Sequence, residues 1–296
     1  MHWSPQDLLT PSTYLRRFIQ NQMEELLRVH EFLDGPGVEA FRQYYKGFLD
    51  APLTGVALDR QVRGGVRSTY GHTLERLLRK RADRPLRVLD AGCGFGSECL
   101  LFALSGAQVV GIDLRPERHA VAVKRVPFWA KETGVDLKVD IRLANVFDLP
   151  ERNHYDLIWV HNAISHIHPV DRFLEFSREI LAPGGEIVII DVNKASVRKR
   201  FMHKDEHEGE AGLYKTVKDP NTGADVVYAV ERDLTLTEQC DLLRQSGLPV
   251  ASAECFVGFH GRVPEFVYRM FLRPLNRTVG LSSVLGNRYV VVGRKA

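Results

Sequence analysis

From Leu86 to Val192 the chain alternates short apolar runs with helical segments, and that alternation leaves few folds open. Apolar runs at 86–89, 108–112, 138–143, 155–160 and 186–192 predict strands, and helical spacing at 97–104, 116–131 and 170–181 predicts helices between them. Pro116 suits the first turn of its helix, and Pro183-Gly184-Gly185 is expected to end the third. Successive strands separated by helices of this length pair in parallel, because a tight turn cannot return the chain to a parallel neighbour. The expected core is therefore a doubly wound α/β sheet. A helix at 237–245 and strands at 250–257 and 288–292 extend it toward the C-terminus.

Before Arg84 the sequence is helical in tone. Leu15, Phe18, Ile19, Met23, Leu26 and Leu27 share one helical face, and Gly35-Pro36-Gly37 stops that helix. The stretch FRQYYKGFL follows, Gly64-Gly65 is expected to break the chain again, and a helix over about 71–81 leads into the first strand. The chain thus divides into an N-terminal helical cap, 1–82, and a core, 83–296, with a polar insert at about 193–235 and an apolar, basic one at about 258–287. The polar composition of the first insert suits a lid.

Composition narrows the class. The chain has 296 residues, 44% of them hydrophobic, which is ordinary globular make-up. The four cysteines (Cys93, Cys99, Cys240, Cys255) form no metal-ligand or disulfide spacing. No apolar run approaches the ~20 residues that cross a bilayer, and no leader pattern opens the sequence, so a cytoplasmic protein is expected. A net charge of +3 gives no ground for nucleic-acid binding. Lys and Arg do crowd between Arg60 and Arg87, where solvated helix faces are the plain reading.

The segment Val88 to Glu98, VLDAGCGFGSE, carries the chemistry. A strand ends at Asp90, Gly92, Gly94 and Gly96 let the backbone turn sharply, and a helix follows. The next strand ends in Asp113, and an acid there can accept both hydroxyls of a ribose. Gly-x-Gly-x-Gly with an acid two residues ahead differs from the dinucleotide fingerprint, which wants Gly or Ala where Ser97 stands.

These features together resemble the class I S-adenosylmethionine-dependent methyltransferases. VLDAGCGFGS resembles their first motif and Asp113 their ribose-binding acid. LANVFDLP, YDLIWVHNAISHI and LAPGGEIVIID resemble, in order, the segment that packs on adenine, the fourth-strand motif and the fifth strand. The resemblance implies a Rossmann-like seven-stranded sheet with S-adenosyl-L-methionine as cofactor. It implies that Asp90 and the backbone of Gly92, Cys93, Gly94 and Gly96 hold the methionine end, that Asp113 binds the ribose, and that Leu114 flanks the adenine. Asn145, where the family often has Asp, would accept from the adenine amino group. Val146 would offer a backbone amide, and His161 would face the methionine portion. The glycine turn and Asp113 are accordingly expected to grip opposite ends of one ligand.

Methyl transfer from a sulfonium needs a general base only when the acceptor atom is protonated. Of His154, His161, His166 and His168, His166 is the best-placed candidate for that catalytic role, although its position in the family often holds a structural histidine. No metal is expected. The acceptor is expected to be a small or lipid-like molecule. The alternatives are an RNA or protein methyltransferase using the 60–87 strip and a non-catalytic cofactor-binding subunit. Tyr44, Tyr45 and Tyr70 are either pocket walls or plain packing. The insert FVYRMFLRPLNRTVGLSSVLG mixes Phe266, Met270, Phe271, Leu272 and Leu275 with arginines. Packing on its own domain is the first reading and contact with an anionic membrane surface the second.

Overall fold

A computed structural model describes residues 1, 3–4, 10–51, 53–79, 84–196, 214–230, 232–256, 263–277 and 284–296. The chain forms two compact units, Met1–Leu143 and Ala144–Ala296. Seven strands make one sheet and two more a separate hairpin.

The first unit opens with helix α1, Pro11–Leu27. Thr10 caps it, accepting from the Thr13 amide at 3.2 Å, while Pro11 takes the first turn, where its missing N–H is harmless. Tyr14, Leu15, Phe18, Ile19 and Leu26 form its buried stripe. Helices α2 (Pro36–Tyr44), α3 (Lys46–Asp50), α4 (Gly55–Ser68) and α5 (Gly71–Leu78) follow. Gly64-Gly65 does not break the chain but lies inside α4. The reason is steric: a Cβ on Gly65 would stand 2.8 Å from Leu15 Cδ2, so glycine lets α4 press against α1. Strand β1 (Arg87–Ala91), helix α6 (Ser97–Ala103), β2 (Gln108–Asp113), helix α7 (Pro116–Thr133) and β3 (Val139–Leu143) complete the unit. β1 pairs in parallel with β2, Asp90 opposite Gly111, and β2 in parallel with β3, Asp113 opposite Leu143.

The second unit contains β4 (Tyr155–His161), α8 (Val170–Ile180), β5 (Leu181–Val192), the hairpin β6 (Tyr214–Lys218) and β7 (Asp225–Ala229), α9 (Leu236–Gln245) and β8 (Val250–Phe256). A helical segment, α10, then runs as Glu265–Val267, a π-helical stretch Tyr268–Leu272 and Arg273–Arg277, before the last strand, β9 (Arg288–Arg294). Pro183-Gly184-Gly185 does not cap α8 as expected. Leu181 is already extended, with φ −65° and ψ 137°, and pairs with Tyr155, so the three residues form an irregularity within β5.

The sheet order is β3-β2-β1-β4-β5-β9-β8, with β9 antiparallel to β5 and to β8. This is the Rossmann-like seven-stranded α/β sheet expected. β4 and β5 are buried on both faces, Trp159 completely, as suits parallel strands covered by helices. The core of the polar insert, residues 197–213, lies outside the described residues; its end forms the β6–β7 hairpin.

Candidate cofactor site

The carboxyl end of β1 runs directly into the glycine turn. Gly92, Gly94 and Gly96 adopt φ of 80°, 54° and 77°, the left-handed region in which a side chain is strained. Three backbone hydrogen bonds, two of them to β2, brace the turn. The amides of Gly92 and Cys93 both donate to the Ile112 carbonyl, at 2.8 and 3.0 Å, and Gly96 N–H donates to the Cys93 carbonyl at 2.8 Å. These amides are therefore committed to building the turn. A Cβ on Gly94 would project into open space, so the turn keeps a bare backbone face there.

Asp113 closes the arrangement. Its Oδ2 accepts from the Gly94 amide at 2.9 Å and its Oδ1 from the Arg115 amide at 2.9 Å. The turn and this acid are thus hydrogen-bonded to each other. A carboxylate has about four lone-pair positions, so two remain for other donors. Leu114 beside it is half-buried.

Asp90 is buried beneath the turn and accepts from the Cys99 thiol at 3.2 Å. Burial pushes its carboxyl well above the ordinary carboxylate range, and the charges of Glu98 and Asp113 push the same way. Among the described residues neither Asp90 nor Asp113 meets a Lys or Arg side chain. Two carboxylates at the turn without a Lys or Arg partner of their own fit a cationic ligand that also carries a diol, and an adenosyl sulfonium with a free ammonium is such a molecule.

The other expected residues belong to the second unit. Asn145 caps a short 3-10 turn, Val146–Asp148, its Oδ1 accepting from the Phe147 amide at 3.2 Å. Its amide oxygen thus already has one local donor and retains a second lone pair. Val146 is buried. His161 Nε2 lies 3.3 Å from Arg288 Nη2, which also contacts Asn162. His166 stacks on Tyr228, ring planes 9° apart and centroids 5.1 Å apart. Its Nδ1 is 3.0 Å from the Ala229 carbonyl, and its own carbonyl accepts from the Ala229 amide. His168 packs edge-on against Tyr214. The histidine segment after β4 is therefore bound to the β6–β7 hairpin. Among the described residues no cluster of three His, Cys, Asp or Glu stands together as a metal site.

All three tyrosines have structural partners. Tyr45 is buried and hydrogen-bonded to Ser97 Oγ, and Tyr70 Oη donates to Glu98 Oε1 at 3.0 Å. Tyr44 is 62% exposed, its ring 5.1 Å from that of Phe95 in the glycine turn.

Sequence reading missed one group at this turn. Arg125 of α7 is completely buried, and its Nε and Nη2 bind the two oxygens of Glu25, from α1, each at 2.7 Å. Its Nη1 donates to the Phe95 carbonyl at 2.5 Å and to Ser97 Oγ at 3.0 Å. The signal was present: both charged residues lie on the apolar stripes of their helices, Glu25 beside Leu26 and Arg125 between Ala122 and Phe128.

A family model described as a methyltransferase domain matches residues 59–226, more than half of the chain. The chain belongs to the methyltransferase-domain family. Its family is that of the class I S-adenosylmethionine-dependent methyltransferases, whose cofactor is S-adenosyl-L-methionine. This methyltransferase is 32% identical over 109 residues to a ubiquinone biosynthesis O-methyltransferase of Bradyrhizobium sp. (strain ORS 278), a match covering 37% of the chain and 41% of that relative. It is 33% identical over 109 residues to norajmaline N-methyltransferase of Rauvolfia serpentina, covering 36% of each. The matched part thus spans about two fifths of the length of these curated relatives. Among solved structures, the [4+2]-cyclase SpnF aligns with a TM-score of 0.48 and 19% identity over 81% of both chains.

Proposed function

We propose that this methyltransferase moves a methyl group from S-adenosyl-L-methionine to an oxygen, nitrogen or carbon atom of a small-molecule or lipid-like acceptor. The observation that carries the reading is the acid-lined glycine turn, with Gly94 bonded to Asp113 and Asp90 buried beneath. When bound, the cofactor supplies a methyl group already activated on sulfur, so the protein's task is to align the acceptor and exclude water. Asp90 and the turn of Gly92, Cys93, Gly94 and Gly96 would hold the methionine portion, and the free lone pairs of Asp113 the ribose hydroxyls. By the family pattern, Leu114, Asn145 and Val146 would serve the adenine and His161 the methionine portion. The small-molecule acceptor draws support from the two relatives, whose names specify ubiquinone biosynthesis and norajmaline.

His166 is the proposed general base for a protonated acceptor. The Ala229 carbonyl can only accept, so Nδ1 carries the ring hydrogen and the neutral imidazole keeps a lone pair on Nε2 for the acceptor's proton. His166→Ala is expected to leave affinity for S-adenosylhomocysteine within a few-fold and to remove the acidic limb of the pH–rate profile, where protonation silences a base. An unchanged profile would exclude the base role.

A peripheral membrane contact is part of the reading for a lipid-like acceptor. It is favoured by α10, where Phe266, Met270 and Phe271 are 66%, 64% and 61% exposed beside exposed Arg269 and Arg273, instead of packing on their own domain. Tyr268, Leu272 and Leu275 are turned further inward. No helix among the described residues is long and apolar enough to cross a membrane. Co-sedimentation with vesicles containing anionic lipid tests the contact: wild type should pellet and Phe266→Glu/Met270→Glu should stay in solution.

The main test supplies methyl-labelled cofactor to the protein with cell extract and sorts label into organic-soluble, RNA and protein fractions. Label in the organic-soluble fraction is expected. Label in RNA or protein would favour use of the 60–87 strip, and no label would favour a non-catalytic subunit.

A further inference from the structure

The glycine turn is held from two sides, and only one of them is the sheet. On the sheet side lie the bonds to Ile112 and Asp113. On the other side, the Phe95 carbonyl and the Ser97 hydroxyl are held by a buried ion pair reaching in from the helices. We infer that Glu25 and Arg125 are positioning residues for the cofactor: their pair fixes the outer wall of the turn and thereby sets the affinity for S-adenosylmethionine. The inference rests on the cofactor reading above.

A run of three glycines with positive φ has little stiffness of its own, so its place must be imposed by partners. Arg125 is built to impose it. The guanidinium fork offers donors in fixed directions, and here two face the Glu25 carboxylate while the third nitrogen reaches the turn. The Phe41 ring covers the guanidinium, its centroid 4.9 Å from the Arg125 Cζ, and packs edge-on against Phe95. Ser97 Oγ is a junction. It accepts from Arg125 Nη1 at 3.0 Å and from Gln22 Nε2 at 3.1 Å, so its own hydrogen goes to Tyr45 Oη. Gln22 and Glu25 of α1, Phe41 of α2, Tyr45 just after it and Arg125 of α7, together with the first residue of α6, thus converge on one wall of the turn.

Stability alone is a poor explanation for such a pair. Desolvating two charges consumes most of what their attraction returns, and apolar residues of similar volume commonly do as well. What they cannot do is hold a carboxylate and a backbone carbonyl at a fixed separation.

The test measures dissociation constants for S-adenosylhomocysteine and ligand-free melting temperatures. The proteins are the wild type, Arg125→Lys, Ser97→Ala and Leu74→Ala. Arg125→Lys keeps the charge but loses the fork. Leu74, fully buried in α5, is a control that lowers stability away from the turn. Positioning predicts that Arg125→Lys weakens binding roughly tenfold and Ser97→Ala at least about threefold, while Leu74→Ala melts earlier yet binds within about twofold of wild type. If Arg125→Lys binds as tightly as Leu74→Ala, the pair is merely structural and the inference is overturned. Should Arg125→Lys not fold, Ser97→Ala decides, since it strands no charge: unchanged affinity there overturns the proposal. A wild type that does not bind S-adenosylhomocysteine would instead sink the cofactor reading, and this inference with it.

Discussion

Asp90 lies where a carboxylate is least at ease, buried and near two other acids, accepting from the Cys99 thiol. Its raised folded-state pKa means that the native protein binds this proton more tightly than the unfolded chain does. Stability therefore declines as pH climbs from the ordinary value of 3.8 toward the folded one, and above that the whole penalty is present. Asp90→Asn has no charge to bury. It should raise the ligand-free melting temperature at neutral pH by at least about 2 °C while weakening S-adenosylhomocysteine binding. A variant that melts no later than wild type across pH 4–8 would refute the burial penalty. Asp113→Ala should weaken the same ligand by about 100-fold, because hydrogen bonds to a charged acceptor are lost; titration calorimetry reads this directly. Both acids were legible in the sequence, since each stands at a strand end, Asp90 just ahead of the glycine turn and Asp113 at the end of the strand that follows it. Glu25 and Arg125 were not, because their pairing spans 100 residues and only their place on apolar stripes hinted at it.

At the level of elements, strands buried on both faces declared themselves as unbroken apolar runs, and the strand-to-turn-to-helix unit at 87–103 was read with its ends nearly in place. The failures have physical causes. Gly64-Gly65 reads as a breaker by local propensity, but tertiary contact with Leu15 overrides it. The β6–β7 hairpin went unread, although Asp219-Pro220-Asn221-Thr222-Gly223 carries turn chemistry. Asp219 Oδ1 accepts from the Asn221 and Thr222 amides, each at 2.9 Å. This hairpin meets the histidine segment through the His166–Tyr228 stack and the Nδ1 bond to Ala229. Removing the imidazole should therefore loosen it by about 1–2 kcal/mol. In His166→Ala, amide hydrogen exchange should quicken across 214–229 and stay unchanged in β1 and β2; uniform exchange would mean that the histidine does not anchor the hairpin.

For the molecule as a whole, the sheet was legible because helix–strand alternation admits few parallel arrangements. The acceptor was not, because specificity was expected in inserts whose composition fits several uses, and the core of one lies outside the described residues. A ligand that binds only the folded chain stabilises it by about 2.7 kcal/mol at 100 times its dissociation constant. For a protein of this size S-adenosylhomocysteine should accordingly raise the melting temperature by roughly 4–5 °C. A shift below about 1 °C at saturating ligand would count against the cofactor assignment.

The bond between Glu25 and Arg125 also sets a rule for exchanging parts. A chimera that carries residues 87–296 on a foreign leader inherits a guanidinium with no counter-charge in the middle of its folded interior. Such a graft must bring its own acid to the place of Glu25, or replace Arg125 by something neutral. Swaps that ignore this requirement should yield insoluble protein even when every residue of the grafted segment is native.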